Sequence, residues 1–167
     1  MSAKGTRATD VVRRAGISHT IHEYAAEPAP GRDRDGRPSF GRDAAEALGV
    51  APDRIFKTLV AAVDGRLAVA IVPVAGELDL KRLAEVLEGR RAEMADPAEA
   101  ERATGYVVGG ISPLGQRRQL PTVVDESADR HPTIFVSAGR RGLQVEIAPG
   151  DLVRLTSARV AAIARGR

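Results

Sequence analysis

Two apolar runs, Phe56 to Val63 and Leu67 to Val74, flank Asp64-Gly65-Arg66 and carry the strongest structural signal in the chain. Both have strand length and many β-branched residues. Asp-Gly suits the positive φ angles of a type I′ turn, so the pattern predicts a β-hairpin. Upstream, Val11 to Ala15 reads as the end of a short helix closed by Gly16. Ile17 to Tyr24 alternates as a strand does, with Ile17 and Ile21 on one face and His22 and Tyr24 on the other. A short helix over Asp43 to Leu48 stops at Gly49, and Pro52-Asp53 leads into the hairpin.

Beyond the hairpin, Asp79 is placed to cap a helix running through Leu87, in which Leu80, Leu83 and Leu87 form an apolar stripe ended by Gly89. Asp96-Pro97-Ala98-Glu99 opens a further helix with a cap, Pro at N1 and Glu at N3, and Gly105 stops it. The last third is β-rich: Pro121 to Asp125, Thr133 to Ser137 and Leu143 to Ile147 read as strands, the last two joined by a Gly139-Arg140-Arg141-Gly142 turn. Pro149 to Val153 starts a short helix, and Ala158 to Ile163 reads as a final strand. Pro28 to Pro38, dense in Gly, Pro, Arg and Asp, reads as a mobile loop, either a lid or a tolerated insertion. Several hairpins with few strand–helix–strand alternations favour a mixed α/β (α+β) fold. The expectation is a single domain over residues 1–167, a mostly antiparallel, barrel-like sheet surrounded by helices.

Composition narrows the function classes. With 43% hydrophobic and 28% charged residues the chain has enough apolar surface for one core. No apolar run reaches the roughly 20 residues needed to span a bilayer. The first residues lack the apolar stretch of a signal peptide, so the cytoplasm is the expected compartment, without membrane contact. There are no cysteines, which removes disulfides, thiolate nucleophiles and Cys-ligated zinc. His19 and His22 point to opposite faces of their strand and His131 stands apart, so no metal and no cofactor is expected. No dinucleotide loop, P-loop or Gly-x-Ser-x-Gly elbow is present, and Ser112 has no evident triad partner. Arg90-Arg91, Arg117-Arg118 and Arg140-Arg141 either contact phosphates or solvate turns; aromatics at 3% make any RNA contact mainly electrostatic.

Two features carry chemistry. Lys57 is one of three lysines among 25 basic residues and interrupts an apolar strand. A lysine is a compact charge that changes its proton affinity on burial, which suits ion or carbonyl chemistry; the alternative is a lysine on a solvent-facing strand position. Gly109-Gly110-Ile111-Ser112-Pro113-Leu114-Gly115 offers backbone without Cβ atoms, open to a carbonyl or carboxylate oxygen, or else is a tight connection.

These features sit within a longer order of motifs: Ile21-His22-Glu23-Tyr24, Phe56-Lys57-Thr58-Leu59, Val72 to Lys81, Met94-Ala95-Asp96-Pro97, Thr104 to Gln116, Leu120-Pro121-Thr122 and Val136 to Leu143. Over nearly its whole length the chain resembles the YbaK/EbsC family, specifically the Cys-tRNA(Pro) deacylases related to the editing domain of bacterial prolyl-tRNA synthetases. The resemblance implies a monomer that acts in trans on the 3′ acceptor end of a misacylated tRNA, with prolyl-tRNA synthetase as a candidate partner. It implies that Lys57, Tyr24, Gly109 and Gly110 form the catalytic site, with Ile111, Ser112, Pro113, Gly139 and Glu146 binding substrate. It also implies that the substrate's own cysteine thiol attacks its ester carbonyl, releasing tRNA and a cyclic thiolactone. Relatives carry an acidic residue where this chain has Gln144, so that role is either filled by Glu146 or dispensable. An Ala-tRNA(Pro) deacylase and a non-catalytic binder of aminoacyl-tRNA or a nucleotide, with Lys57 as a phosphate clamp, are the alternatives.

Overall fold

The computed structural model describes residues 5–26, 32 and 39–166. Apart from Arg32, the Pro28 to Pro38 loop therefore lies outside the described residues. The order is α1 (Arg7–Ala15), β1 (His19–Glu23), α2 (Phe40–Leu48), β2 (Phe56–Val63), β3 (Arg66–Pro73), β4 (Glu77–Leu78), α3 (Leu80–Val86) and β5 (Ala92–Met94). It continues with α4 (Pro97–Thr104), β6 (Thr122–Asp125), a 3-10 turn (Glu126–Arg130), β7 (Ile134–Arg140), β8 (Leu143–Ile147), α5 (Pro149–Thr156), β9 (Arg159–Ala161) and β10 (Ala164–Arg165).

Local chemistry explains the boundaries. Thr6 and Thr9 cap α1 reciprocally, and Gly16 ends it in the left-handed region. The Asp79 carboxylate accepts from the Arg82 amide at the start of α3, and that of Asp96 from the Glu99 amide at the start of α4. In the β2–β3 turn Asp64 and Gly65 both have positive φ, +50° and +83°, as a type I′ turn requires.

Three sheets result. The largest has the order β5-β2-β3-β6-β9, a second has β1-β8-β7, and β4 pairs with β10. Pairing is mostly antiparallel, but β6 runs parallel to both β3 and β9, and the strands do not close into one barrel. A bridge between Ile55 and Phe135 joins the two larger sheets at one corner, with the Phe135 amide donating to the Arg54 carbonyl at 2.9 Å. Phe56, Val60, Val69 and Ile71 of one sheet share a core with Ile134, Val136, Leu143 and Val145 of the other. On the opposite face of the larger sheet, Ala61, Val63, Ala70 and Val72 pack beneath Leu83 and Ala84 of α3. A third cluster joins Ala44 and Ala45 of α2 to Ile55, Val74 and Phe135, with Tyr24 against it.

Three expectations from the sequence change. The helix expected from Asp43 starts at Phe40. β7 continues through a bulge to Arg140, so the β7–β8 turn shrinks to Arg141-Gly142. The strand expected over Ala158 to Ile163 is split, because the amides of Ile163 and Ala164 donate to the buried Asp125 carboxylate at 3.0 and 2.9 Å instead of extending a ladder. Burial pushes that carboxyl up, but the Ser127 hydroxyl and the surrounding amides more than offset it and hold it below its usual range.

Candidate functional site

Lys57 is half-buried at the head of β2, opposite Val72. Strand alternation places it on one face with Ile55 before it and Leu59 after it, between the α2 cluster and the α3 cluster. Val74, diagonally across, packs so closely on α2 that a Cβ at Gly41 would run into its side chain. The neighbouring Phe40 turns the other way, into the glycine-rich loop: a Cβ on Gly109 would stand 3.1 Å from the Phe40 ring and 3.2 Å from Arg141 Cδ. The Arg141 guanidinium lies 4.7 Å from the centre of the same ring. The N-terminus of α2 thus packs both on Val74, at the end of the hairpin that carries Lys57, and on the glycine loop.

The loop is held against the β7–β8 turn. A Cβ on Gly110 would lie 2.7 Å from Arg140 Cα and 3.2 Å from the Arg141 amide nitrogen, so glycine is required there by backbone packing. The Gly110 amide donates to the Val107 carbonyl at 2.9 Å, and the Val108 amide to Glu101 at 2.8 Å. Among the described residues the amides of Gly109, Ile111, Ser112 and Gly115 carry no hydrogen bond; Ser112 is buried, and Gly109 and Ile111 flank the Gly110 contact with the β7–β8 turn. Ser112 is wholly buried and its hydroxyl accepts from the Leu114 amide at 3.2 Å, so its side chain shapes the loop. Pro113 is buried beside it. Tyr106 anchors the loop's far side by donating to the Leu114 carbonyl at 2.6 Å, and burial raises its hydroxyl to about 12. Gly139, at φ +110°, lets Tyr106 and Thr6 approach β7.

Tyr24 is half-buried and follows β1; its amide donates to the Gly142 carbonyl at 3.0 Å, which ties it to the same turn. Glu146 sits further along β8. It accepts from the Thr133 hydroxyl at 2.6 Å and from His22 Nε2 at 2.9 Å, and Arg54 lies 3.5 Å away. The Thr133 hydroxyl first, and then the His22 ring, hold its carboxyl below the usual range. Gln144, on the same face between Tyr24 and Glu146, is buried with no partner for its Oε1. The fold therefore gathers Tyr24, Gly109, Gly110 and the Arg140–Gly142 segment directly, links the hairpin that carries Lys57 to them through α2, and places Glu146 in its own polar cluster.

Sequence reasoning missed that cluster and the part played by Phe40. His22 was readable as facing with Tyr24, but Thr133 and Arg54 come from distant segments and carry no local signal. Phe40 had one available cue, as one of only three phenylalanines. Among the described residues no helix is long and apolar enough to cross a membrane, and no group of three His, Cys, Asp or Glu is placed to hold a metal.

The sequence of the chain matches a known protein class. Residues 40–155 match the model of the aminoacyl-tRNA editing domain, and the chain belongs to that family. That span runs from Phe40 at the head of α2 through Lys57, the glycine loop and Glu146. The protein named "Putative Cys-tRNA(Pro)/Cys-tRNA(Cys) deacylase EbsC" from Enterococcus faecalis is 44% identical over 121 residues, 71% of this chain and 73% of its own. "Multifunctional Ser/Thr-tRNA deacylase ProXp-y" from Escherichia coli K12 is 32% identical over 115 residues, 66% of this chain and 69% of its own. The fold matches a crystal structure described as "a putative trans-editing enzyme for prolyl tRNA synthetase", with a TM-score of 0.82, 24% identity and 99% of each chain covered. The chain also matches proline–tRNA ligases, but spans only 19% of the length of the one from Geobacillus thermodenitrificans.

Proposed function

We propose that this chain is a trans-editing deacylase that clears Cys-tRNA(Pro). The observation that carries the reading is the 44% identity to a protein named as a Cys-tRNA deacylase, over a stretch covering 71% of this chain. In this reading the 3′-terminal adenosine lies between Lys57 and the glycine loop. The aminoacyl carbonyl oxygen accepts from the open amides of Gly109 and Ile111, and the Lys57 ammonium adds charge stabilisation. Tyr24 borders the aminoacyl group from the β7–β8 turn.

The proposed chemistry places the nucleophile on the substrate. The cysteine sulfur attacks its own ester carbonyl carbon and the carbon–oxygen bond to the ribose breaks. The released ribose oxygen takes up the thiol proton, leaving tRNA and a cyclic thiolactone that water opens to cysteine. No enzyme nucleophile is consumed, so the protein's task is orientation and stabilisation of the oxyanion. A monomer acting alone or beside prolyl-tRNA synthetase fits this reading.

A second reading has support in the 32% identity to a Ser/Thr-tRNA deacylase: an activated water then replaces the thiol. Parallel deacylation of Cys-, Ser-, Ala- and Pro-tRNA(Pro) separates the two. The thiol route predicts rapid loss of the cysteinyl ester, slow loss of the nearly isosteric seryl ester and thiolactone by mass spectrometry. Equal rates for serine and cysteine would transfer the chemistry to water, with Tyr24 or Glu146 as its positioning group. Ala-tRNA(Pro) cleaved faster than both would make alanine the cognate error.

A further inference from the structure

A basic surface adjoins the glycine loop without being part of the site described above. The segment after the loop folds back along the end of α4, with the Arg117 amide donating to the Thr104 carbonyl and the Arg118 amide to the Ala103 carbonyl, both at 2.9 Å. Arg102 lies in the last turn of the same helix. From the other side comes Arg7: a Cβ built on Gly105 would stand 2.7 Å from Arg7 Nη1 and 3.5 Å from Arg117 Cβ. Arg7 and Arg117 thus meet at Gly105, Arg102 and Arg118 lie on the adjoining backbone, and all four are exposed. None of them makes an ion pair among the described residues, although Arg82, Arg140, Arg154 and Arg165 all do. Glu101 of α4, next to Arg102 in sequence, accepts from the Val108 amide.

This arrangement runs against local stability. Arg7 opens α1, where the helix dipole disfavours a cation. Like charges gathered at one spot repel unless an anion lies between them. The patch is also continuous with the site. Gly115 packs on the Arg7 backbone, and Thr6 packs on Gly139, which precedes the Arg140 backbone that seats Gly110. A polyanion whose end enters the glycine loop would lie along these guanidinium groups, which match phosphate in charge and geometry.

We propose that Arg7, Arg102, Arg117 and Arg118 form the surface that holds the phosphodiester backbone of the tRNA acceptor arm while its 3′ end occupies the site. This rests on the aminoacyl-tRNA reading above, and it assigns tRNA affinity to a face separate from the reacting groups. Binding of uncharged tRNA(Pro) transcript to the full chain, measured by fluorescence anisotropy across a salt series, tests it independently of catalysis. Arg117→Gln/Arg118→Gln should weaken binding about tenfold at moderate salt and lower the salt slope by about 1 to 2. Arg7→Gln and Arg102→Gln singly should each give part of the same loss, with circular dichroism unchanged. In deacylation the loss should fall on KM. Arg66→Gln, an exposed arginine at the far hairpin turn, serves as the charge-matched control and should bind as the parent does.

Patch variants with the parent affinity and slope, or an equal loss from Arg66→Gln, would overturn the assignment, as would a parent chain that fails to bind tRNA. The two readings fail separately. A parent that binds tRNA through these arginines but cleaves no ester keeps the surface and loses the activity; a parent that cleaves while the patch variants are unaffected does the reverse.

Discussion

The β2–β3 hairpin has two ends, about 20 Å apart along β2 at about 3.3 Å per residue, and they use the same residue types for opposite purposes. At the turn end, Gly65 has φ +83° and open space around its missing Cβ. The Asp64 carboxylate beside it accepts from the amides of Arg90 and Arg91, which closes the turn onto the next segment. At the other end, Lys57 enters from a strand whose neighbours reach, through α2, a loop in which Gly110 is required by what it touches. Glycine thus supplies backbone freedom at one end and close approach at the other. The lesson is that a glycine's role is read from what its Cβ would meet, and that substitutions at the two ends should separate activity from stability.

The largest expected effect is at the site end. Lys57→Ala should lower deacylation on the order of 10²- to 10³-fold, the scale of losing one preorganised group at a developing oxyanion, with an unchanged melting temperature. Lys57→Arg should also be poor, because a planar fork does not replace a compact ammonium. Near-normal turnover by both variants in a single-turnover assay would remove Lys57 from the mechanism and leave both hairpin ends structural.

Gly110→Ala should fall on both axes at once. Its methyl would press on the Arg140 backbone, and overpacking of that kind costs about 1–3 kcal/mol in stability. Displacing the loop also moves the Gly109 and Ile111 amides, and one lost oxyanion donor raises the barrier by about 2.7–4 kcal/mol. Urea unfolding and kcat/KM on the same preparation read the two costs. A wild-type rate would show that the loop is a connector.

At the turn end, Gly65→Ala should cost about 1–2 kcal/mol, because alanine is strained in the left-handed region even where space is free. Deacylation should be untouched. An activity loss as large as the Gly110→Ala loss would end the distinction between the two ends.

The legibility of the two ends differed for the same physical reason. Turn chemistry is local, so Asp64-Gly65 announced its conformation in two letters, as did the caps at Asp79 and Asp96. The short edge strand β5 escaped notice because Ala92-Glu93-Met94 is too short for its alternation to stand out, and it exists by pairing with Ala61 to Val63. Lys57 and the glycine loop stood out as motifs, but their relation did not, because it depends on Phe40 and Gly41 packing between segments far apart in sequence. The Glu146 cluster was invisible for that reason too, since its partners come from β1, the approach to β2 and the residue before β7. The parallel placement of β6 followed from no hairpin signal, because its neighbours β3 and β9 are reached only after long intervening connections.

The smallest expected effect lies in pH. Both ends carry a carboxyl held below its usual range, Asp64 by the Arg90 and Arg91 amides and Glu146 by the Thr133 hydroxyl and then His22. For Glu146 the folded value lies below the ordinary 4.5, so the folded chain binds fewer protons there than the unfolded chain. Its contribution to stability is therefore complete above about 4.5 and is lost as pH falls through the lowered folded value. Thr133→Val removes the first cause and should bring the folded value back toward 4.5, shrinking the acid-side loss; Glu146→Gln should abolish this contribution. Asp64→Asn should alter the same acid limb more weakly and with greater sensitivity to salt, because that carboxylate is exposed while Glu146 is three-quarters covered. Urea midpoints at pH 3, 4, 5 and 7, at low and high salt, measure the difference. An acid limb unchanged in Glu146→Gln would mean that its hydrogen bonds do not favour the charged form, and the polar cluster at the site end would then be no more than packing.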